Sequence, residues 1–321
     1  MPDLPRVRLC QLPTPLHRLE HMSERLGVEL WIKRDDLTGF AFGGNKGRKL
    51  EYLLADAISH GAEVLVSCGS TQSNFIRHLG AACSMHRLAC AAVVMDLPYE
   101  TARPVGKALR NEGGNVFLDR LLGVDLRHHP DGHWDDLYAL AEELAMDFEA
   151  MGKRVYRVPV GGFAPLGAFA FVEAARELLS QAGPFDYLVT ASSGGSTQTG
   201  LAYALQGTRT KVVGIACDPE PEMPHEFERL SHELHEIAQG NGAVKAADYD
   251  FRLGYVGPGY GIPSEEGMAA IELLAKSEGI FLDPIYSGKA FAGLMDLVER
   301  RELAGRIVFW HTGGLPALFA I

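Results

Sequence analysis

Short runs of apolar, often β-branched residues alternate along this chain with stretches in which apolar positions recur every three or four residues. Val64-Leu65-Val66, Ala91 to Met95, Tyr187 to Thr190, Val212 to Ala216 and Ile307 to Trp310 are the strand-like runs. Helical patterns cover Ala168 to Ala182 and Pro263 to Gly279, the second opening with Pro263-Ser264-Glu265-Glu266, residues that favour a helix start. Alternation of this kind predicts an α/β fold with parallel sheets. A further helix is marked by Leu50, Leu53, Leu54 and Ile58, which share one face at helical spacing. It follows the glycine-rich turn Gly43-Gly44-Asn45 and begins with Lys46. Counting back four residues from Leu50 puts Lys46 on the inward face and Arg48 on the opposite one.

A lysine directed inward loses water from its ammonium, which lowers its pKa and suits it to Schiff-base chemistry. Two later strand-to-helix connections extend that picture. Cys68-Gly69-Ser70-Thr71-Gln72-Ser73-Asn74 leads into a helix expected near Phe75. Its hydroxyls and amides can cap the helix, seat a carboxylate on the free backbone amides, and place the Ser73 hydroxyl to relay a proton. Ala191-Ser192-Ser193-Gly194-Gly195-Ser196-Thr197-Gln198-Thr199-Gly200 precedes a helix expected near Leu201, and it has the glycines and hydroxyls of a phosphate cradle. It is neither a Walker A loop nor a dinucleotide fingerprint, which disfavours a nucleotide-binding enzyme. Taken singly, Tyr260 and Tyr286 read as packed rings and His311 as a satisfied core histidine. Together, an inward lysine, two anion loops and loop tyrosines form the set that a pyridoxal-phosphate amino-acid enzyme needs.

Composition bounds the rest. At 321 residues the chain makes one large unit or two intimately joined lobes, and 47% hydrophobic with 22% charged residues is ordinary for a globular protein. The start Met1-Pro2-Asp3-Leu4-Pro5-Arg6 lacks a signal-peptide run and no segment reaches membrane-span length, so the expectation is a cytoplasmic protein with no membrane partner. Five cysteines without a Cys-x-x-Cys pair point to reduced thiols and no zinc site. A net charge of -11 argues against nucleic-acid binding, while leaving room for a small anionic ligand. His128-His129-Pro130-Asp131-Gly132-His133 reads as a turn-rich surface loop, not a metal site.

The ordered motifs Leu12-Pro13-Thr14-Pro15-Leu16, Ile32-Lys33-Arg34-Asp35-Asp36, Gly43-Gly44-Asn45-Lys46, Gln72-Ser73-Asn74, Ser196-Thr197-Gln198, Tyr260-Gly261-Ile262-Pro263, Asp283-Pro284-Ile285-Tyr286 and His311-Thr312-Gly313-Gly314-Leu315-Pro316 run nearly the whole chain. In these the sequence resembles the fold-type II pyridoxal-phosphate family that contains D-cysteine desulfhydrase, L-cysteate sulfo-lyase and 1-aminocyclopropane-1-carboxylate deaminase. The resemblance implies two open, twisted, mostly parallel sheets flanked by helices. It implies a large domain of residues 1–50 and 161–321, a smaller inserted domain of residues 51–160, and a homodimer.

By the same resemblance, Lys46 binds pyridoxal 5'-phosphate covalently, Asn74 meets the ring hydroxyl, and Ser193, Gly194, Gly195, Ser196 and Thr197 hold the phosphate. Asn45, Ser287 and Thr312 are further cofactor-binding candidates. Gln72, Ser73, Asn74 and Phe75 are candidates for the substrate carboxylate, and Lys46, Ser73, Tyr260 and Tyr286 for catalysis, with Lys46 or Ser73 as base. The ring-opening deaminases carry a glutamate beside the matching tyrosine, facing the ring nitrogen, where this chain has Ser287. A neutral hydroxyl does not favour a protonated ring nitrogen as a carboxylate would, which shifts the expectation towards β-elimination on a small amino acid. D-cysteine desulfhydrase is the leading expectation, ahead of L-cysteate sulfo-lyase, the deaminase, and a pyridoxal-phosphate carrier or sensor without turnover. Many relatives have histidine or glutamine where this chain has Phe75, which bears on the substrate.

Overall fold

In a computed structural model, residues 2–96, 109–129, 133–240 and 242–321 are described. The chain runs through β1 (Leu16–Arg18), α1 (Glu20–Leu26), β2 (Glu29–Arg34), α2 (Lys46–Ser59), β3 (Val64–Ser70), α3 (Asn74–His86) and β4 (Ala89–Met95). Next come α4 (Gly114–Leu121), β5 (Asp125–His129), α5 (Trp134–Ala150), β6 (Val155–Arg157) and α6 (Pro165–Ala182). It continues with β7 (Tyr187–Ser192), α7 (Ser196–Leu205), β8 (Lys211–Ala216), α8 (Met223–Ala238), β9 (Asp250–Arg252), α9 (Glu265–Glu278), α10 (Ser287–Glu299) and β10 (Arg306–His311). Two sheets result, in the orders β1-β2-β10-β7-β8-β9 and β5-β4-β3-β6. Every pairing is parallel except β1 with β2.

The continuous apolar runs become central strands because helices cover both faces of each sheet. Val189, Ile215, Ile307 and Phe309 belong to one core layer of the larger sheet, while Leu188, Val308 and Trp310 belong to the other. In the smaller sheet Leu65, Ala92 and Val94 pack with α2 and α3, and Val64, Val66, Ala91 and Val93 pack with α5. Helix α2 joins these layers. Its Leu50, Leu53, Leu54 and Ala57 enter the small-sheet core, whereas Tyr52 packs edge-on against Phe169 of α6.

Several local expectations change. Arg48 does not point to solvent: α6 covers that side of α2, and the guanidinium is buried between Asp35 and Glu177. Ile58 instead is 41% exposed at the end of the helix. Helix α7 starts at Ser196, so the segment from Ser196 to Gly200 is helical and not loop. His128 and His129 lie in edge strand β5, residues 130–132 of the expected loop fall outside the described residues, and His133 precedes α5. Among the described residues no helix is long and apolar enough to cross a membrane.

Candidate active site

A cavity of about 380 Å³ opens at the carboxyl ends of strands from both sheets, where the strand-to-helix loops converge. This is where open α/β sheets place ligands. Its lining includes Lys46 and Lys49 of α2, Ser73, Asn74, Phe75, Arg77 and His78 around the start of α3, Ser192 to Gln198 around the start of α7, and Tyr260, Tyr286 and Thr312.

The turn before α2 has room for glycine alone. Gly43 and Gly44 sit at φ +71° and +127°, and a Cβ on Gly43 would fall 1.7 Å from the Asp36 carbonyl oxygen. The Asn45 amide donates to the Thr312 carbonyl at 3.0 Å and its side-chain nitrogen to Thr197 Oγ1 at 3.1 Å. The first residue of the helix, Lys46, is thereby held between the two sheets with its remaining exposure in the cavity. Burial lowers the Lys46 pKa, against smaller opposing contributions from a hydrogen bond to Lys49 and from Cys217 and Asp283. Lys49, one helical turn on, donates to Ser196 Oγ at 2.6 Å and the Gly161 carbonyl at 3.0 Å. Burial, then the neighbouring Lys46, drive its pKa well below that of a free lysine. Both amines therefore give up a proton more readily than a free lysine does, Lys49 the more so.

At the start of α3, Ser73 is the N-cap: its Oγ accepts from the amides of Phe75 and Ile76 at 3.2 and 3.3 Å. Phe75 is 1% exposed and bridges the cavity wall and the small-sheet core. Gln72 does not line the cavity. Its side chain donates to the Arg110 carbonyl at 2.7 Å and accepts from the Asn115 amide at 2.9 Å, fastening the start of α4.

The loop into α7 has the features of an anion seat. Gly195 takes φ +86° with the Phe227 ring only 1.9 Å from where a Cβ would sit, and no side chain caps the first amides of α7. The Ser192 hydroxyl is buried, lines the cavity and has no hydrogen-bond partner among the described residues. Ser193 donates to Asp218, Gly194 is exposed, Ser196 is bound by Lys49 and Thr197 by Asn45. Opposite, the Tyr260 and Tyr286 hydroxyls are 2.5 Å apart. Burial raises both phenol pKa values above the ordinary one, so both stay protonated near neutrality.

Ser287 lies elsewhere. It is fully buried, donates to Asp283 Oδ2 at 2.5 Å and accepts from the Asp283 amide at 2.7 Å, so it closes the turn into α10 and does not line the cavity. His311 behaves as a satisfied core histidine, with Nδ1 accepting from the Gly313 amide at 3.2 Å and Nε2 donating to the Phe281 carbonyl at 2.9 Å. Lys49, Arg77, His78 and Ser192 were not singled out from the sequence. Spacing held a signal for two of them: Lys49 stands three residues after Lys46, and Arg77 three after Asn74.

A family model described as pyridoxal-phosphate dependent enzyme matches residues 7–313. The chain belongs to the pyridoxal-phosphate dependent enzymes. It is 41% identical to a D-cysteine desulfhydrase of Yersinia enterocolitica, over 99% of this chain and 96% of the relative. To a D-cysteine desulfhydrase of Klebsiella pneumoniae it is 40% identical, over 98% and 96%. A solved structure described as an ACC deaminase homologue superposes with a TM-score of 0.89 at 35% identity, covering 99% of this chain and 94% of that one. Threonine deaminase isoform 2 from Solanum lycopersicum shares the fold at a TM-score of 0.62 and 19% identity. The protein is thus an enzyme whose cofactor is pyridoxal phosphate, built on the fold-type II plan. The residues present fit that group: uncapped helix amides and an unpartnered buried hydroxyl suit its phosphate, and an amine with a lowered pKa suits its aldehyde.

Proposed function

We propose that the chain is a D-cysteine desulfhydrase, a carbon-sulfur lyase that converts D-cysteine and water to pyruvate, sulfide and ammonia. The observation that carries this reading is 41% identity to a protein of that activity across 99% of the chain. The Lys46 amine, with its lowered pKa and its place in the cavity lining, supports it. Lys46 would hold the cofactor covalently, with Asn45, Asn74, Thr312 and the segment Ser193 to Thr197 as the residues that would bind it, Asn74 through the ring hydroxyl. Once bound there, pyridoxal phosphate supplies an electron sink for the bond broken at Cα.

The protein's own groups do the rest. The start of α3, where Ser73, Asn74 and Phe75 line the cavity, receives the substrate carboxylate, which takes over the Phe75 and Ile76 amides from the Ser73 hydroxyl. Lys46, with its lowered pKa, accepts the Cα proton. It is better suited to that than Ser73, whose oxygen already accepts two amide hydrogen bonds. The Tyr260 and Tyr286 pair, protonated near neutrality, donates a proton to the departing sulfur. Gln72 and Ser287 act at one remove, through the starts of α4 and α10.

Likeness to the ACC deaminase homologue favours a second reading, opening of a cyclopropane amino acid. Purified, cofactor-loaded protein offered D-cysteine, L-cysteate and 1-aminocyclopropane-1-carboxylate in turn separates the cases. Pyruvate with sulfide from D-cysteine is expected. Sulfite from L-cysteate, 2-oxobutanoate from the cyclopropane, or no keto acid from any substrate would replace the reading with a sulfo-lyase, a deaminase or a cofactor carrier. We further propose a cytoplasmic homodimer with a large domain of residues 1–50 and 161–321 and a small domain of residues 51–160.

A further inference from the structure

We propose that Arg77 is a positioning residue for the cofactor: it fixes the Asn74 carboxamide with its NH2 left for a ligand in the cavity and ties that amide to the turn that delivers Lys46. The proposal rests on the reading that Asn74 meets the ring hydroxyl. Arg77 is 1% exposed and stands on α3 one turn beyond Asn74. Its Nη1 donates to Asn74 Oδ1 at 2.9 Å and to Asn115 Oδ1 at 2.5 Å. Asn115 in turn donates through Nδ2 to the same Asn74 Oδ1 at 3.0 Å and to the Gln72 carbonyl at 2.8 Å.

Two donors therefore converge on one face of the Asn74 amide. A guanidinium has donors only, so a flipped carboxamide would set its own NH2 against the Arg77 N–H. The orientation is forced, and because Asn74 lines the cavity its NH2 is the group left for a ligand there. The other guanidinium nitrogen, Nη2, donates to the Gly43 carbonyl at 3.2 Å, three residues before Lys46. One planar fork thus spans the start of α3 and the glycine turn before α2, fixing two cofactor-facing groups relative to each other. Among the described residues neither carboxylate oxygen of buried Asp119 has a hydrogen-bond partner. Burial pushes this carboxyl up to about 7 against the pull of Arg77, so near neutrality it offers a partial counter-charge and takes none of the donors that Arg77 uses on Asn74.

The test is a double-mutant cycle on Asn74→Ala and Arg77→Met, read by the visible absorption band of the bound cofactor and by cofactor affinity. Asn74→Ala should shift the band and weaken cofactor binding about tenfold, the value of one buried hydrogen bond. Arg77→Met should shift the band in the same direction, and the double variant should bind no more than about threefold worse than Asn74→Ala alone. If Arg77→Met does not fold, Asn115→Ala, which removes the second donor to the same oxygen, should reproduce the shift in weaker form. A band unchanged in Asn74→Ala would overturn the reading of Asn74 itself. A shifted band in Asn74→Ala with an unchanged band in Arg77→Met, or in Asn115→Ala where that is the variant available, would overturn the positioning role alone. Fully additive losses would do the same.

Discussion

The two long sides of helix α2 carry buried cations treated in opposite ways. On one side Arg48 is 3% exposed and saturated: its nitrogens donate to Asp35 at 2.8 and 2.9 Å, to Glu177 at 2.9 Å and to Thr14 Oγ1 at 3.0 Å. Burial opposes its charge, but Asp35 and Glu177 outweigh burial and raise its pKa. Lys33 and Trp310 complete the cluster, donating to Glu177 at 2.5 Å and Asp35 at 2.9 Å. On the other side Lys46 and Lys49 face the cavity with no carboxylate in ion-pair reach among the described residues, and both pKa values fall. Within one helix, the paired cation holds the fold together and the unpaired amines are left for chemistry.

The largest effect should therefore come from Lys46→Ala. Losing the base alone lowers turnover about 10²–10⁴-fold, and loss of the covalent cofactor link adds to that, while the melting temperature of the apoprotein changes little. Keto-acid release and a thermal melt on the same sample check both halves. Arg48→Ala should do the reverse. It strands Asp35 as a buried carboxylate without a cation, leaves Glu177 with Lys33 alone, and should cost roughly 3–5 kcal/mol in denaturant unfolding. A mild loss there, with activity abolished instead, would break the comparison.

A smaller effect sharpens it. Burial would raise the Glu177 pKa, but Arg48 and Lys33 hold it down to about 2 in the folded protein. A carboxylate depressed in this way contributes stability that is complete above its unfolded value near 4.5 and lost as pH falls towards 2, at most about 3 kcal/mol. Glu177→Gln should consequently lose less melting temperature than the wild type between pH 5.5 and pH 2.5. Equal acid sensitivity in the two proteins would mean that the cluster carries no such linkage.

Much of the fold was legible because buried parallel strands write themselves as continuous apolar runs, and β3, β4, β7, β8 and β10 all carry that signature. Helical counting also set Lys46 on the side where the cavity lies. The same count failed for Arg48, because what covers it is Glu177, 129 positions away, and helix periodicity holds no record of so distant a partner. The start of α7 is hidden in the sequence, since Ser196, Thr197 and Thr199 look like loop residues until their surroundings are known. Ser287 was expected at the cofactor through its neighbour Tyr286, yet the Asp283 carboxylate four residues back takes its hydroxyl. Arg77 carries no signal of its own, because a basic residue on a helix reads as solvated until Asn74, Asn115 and Gly43 are seen around it.

Lys46, and not the more deeply buried Lys49, is the amine that takes the cofactor. Borohydride reduction of the cofactor-loaded protein, followed by peptide mass spectrometry, tests this directly. A pyridoxyl-phosphate adduct on Lys46 with Lys49 unmodified is the expected result. An adduct on Lys49, or none on either lysine, would contradict the account.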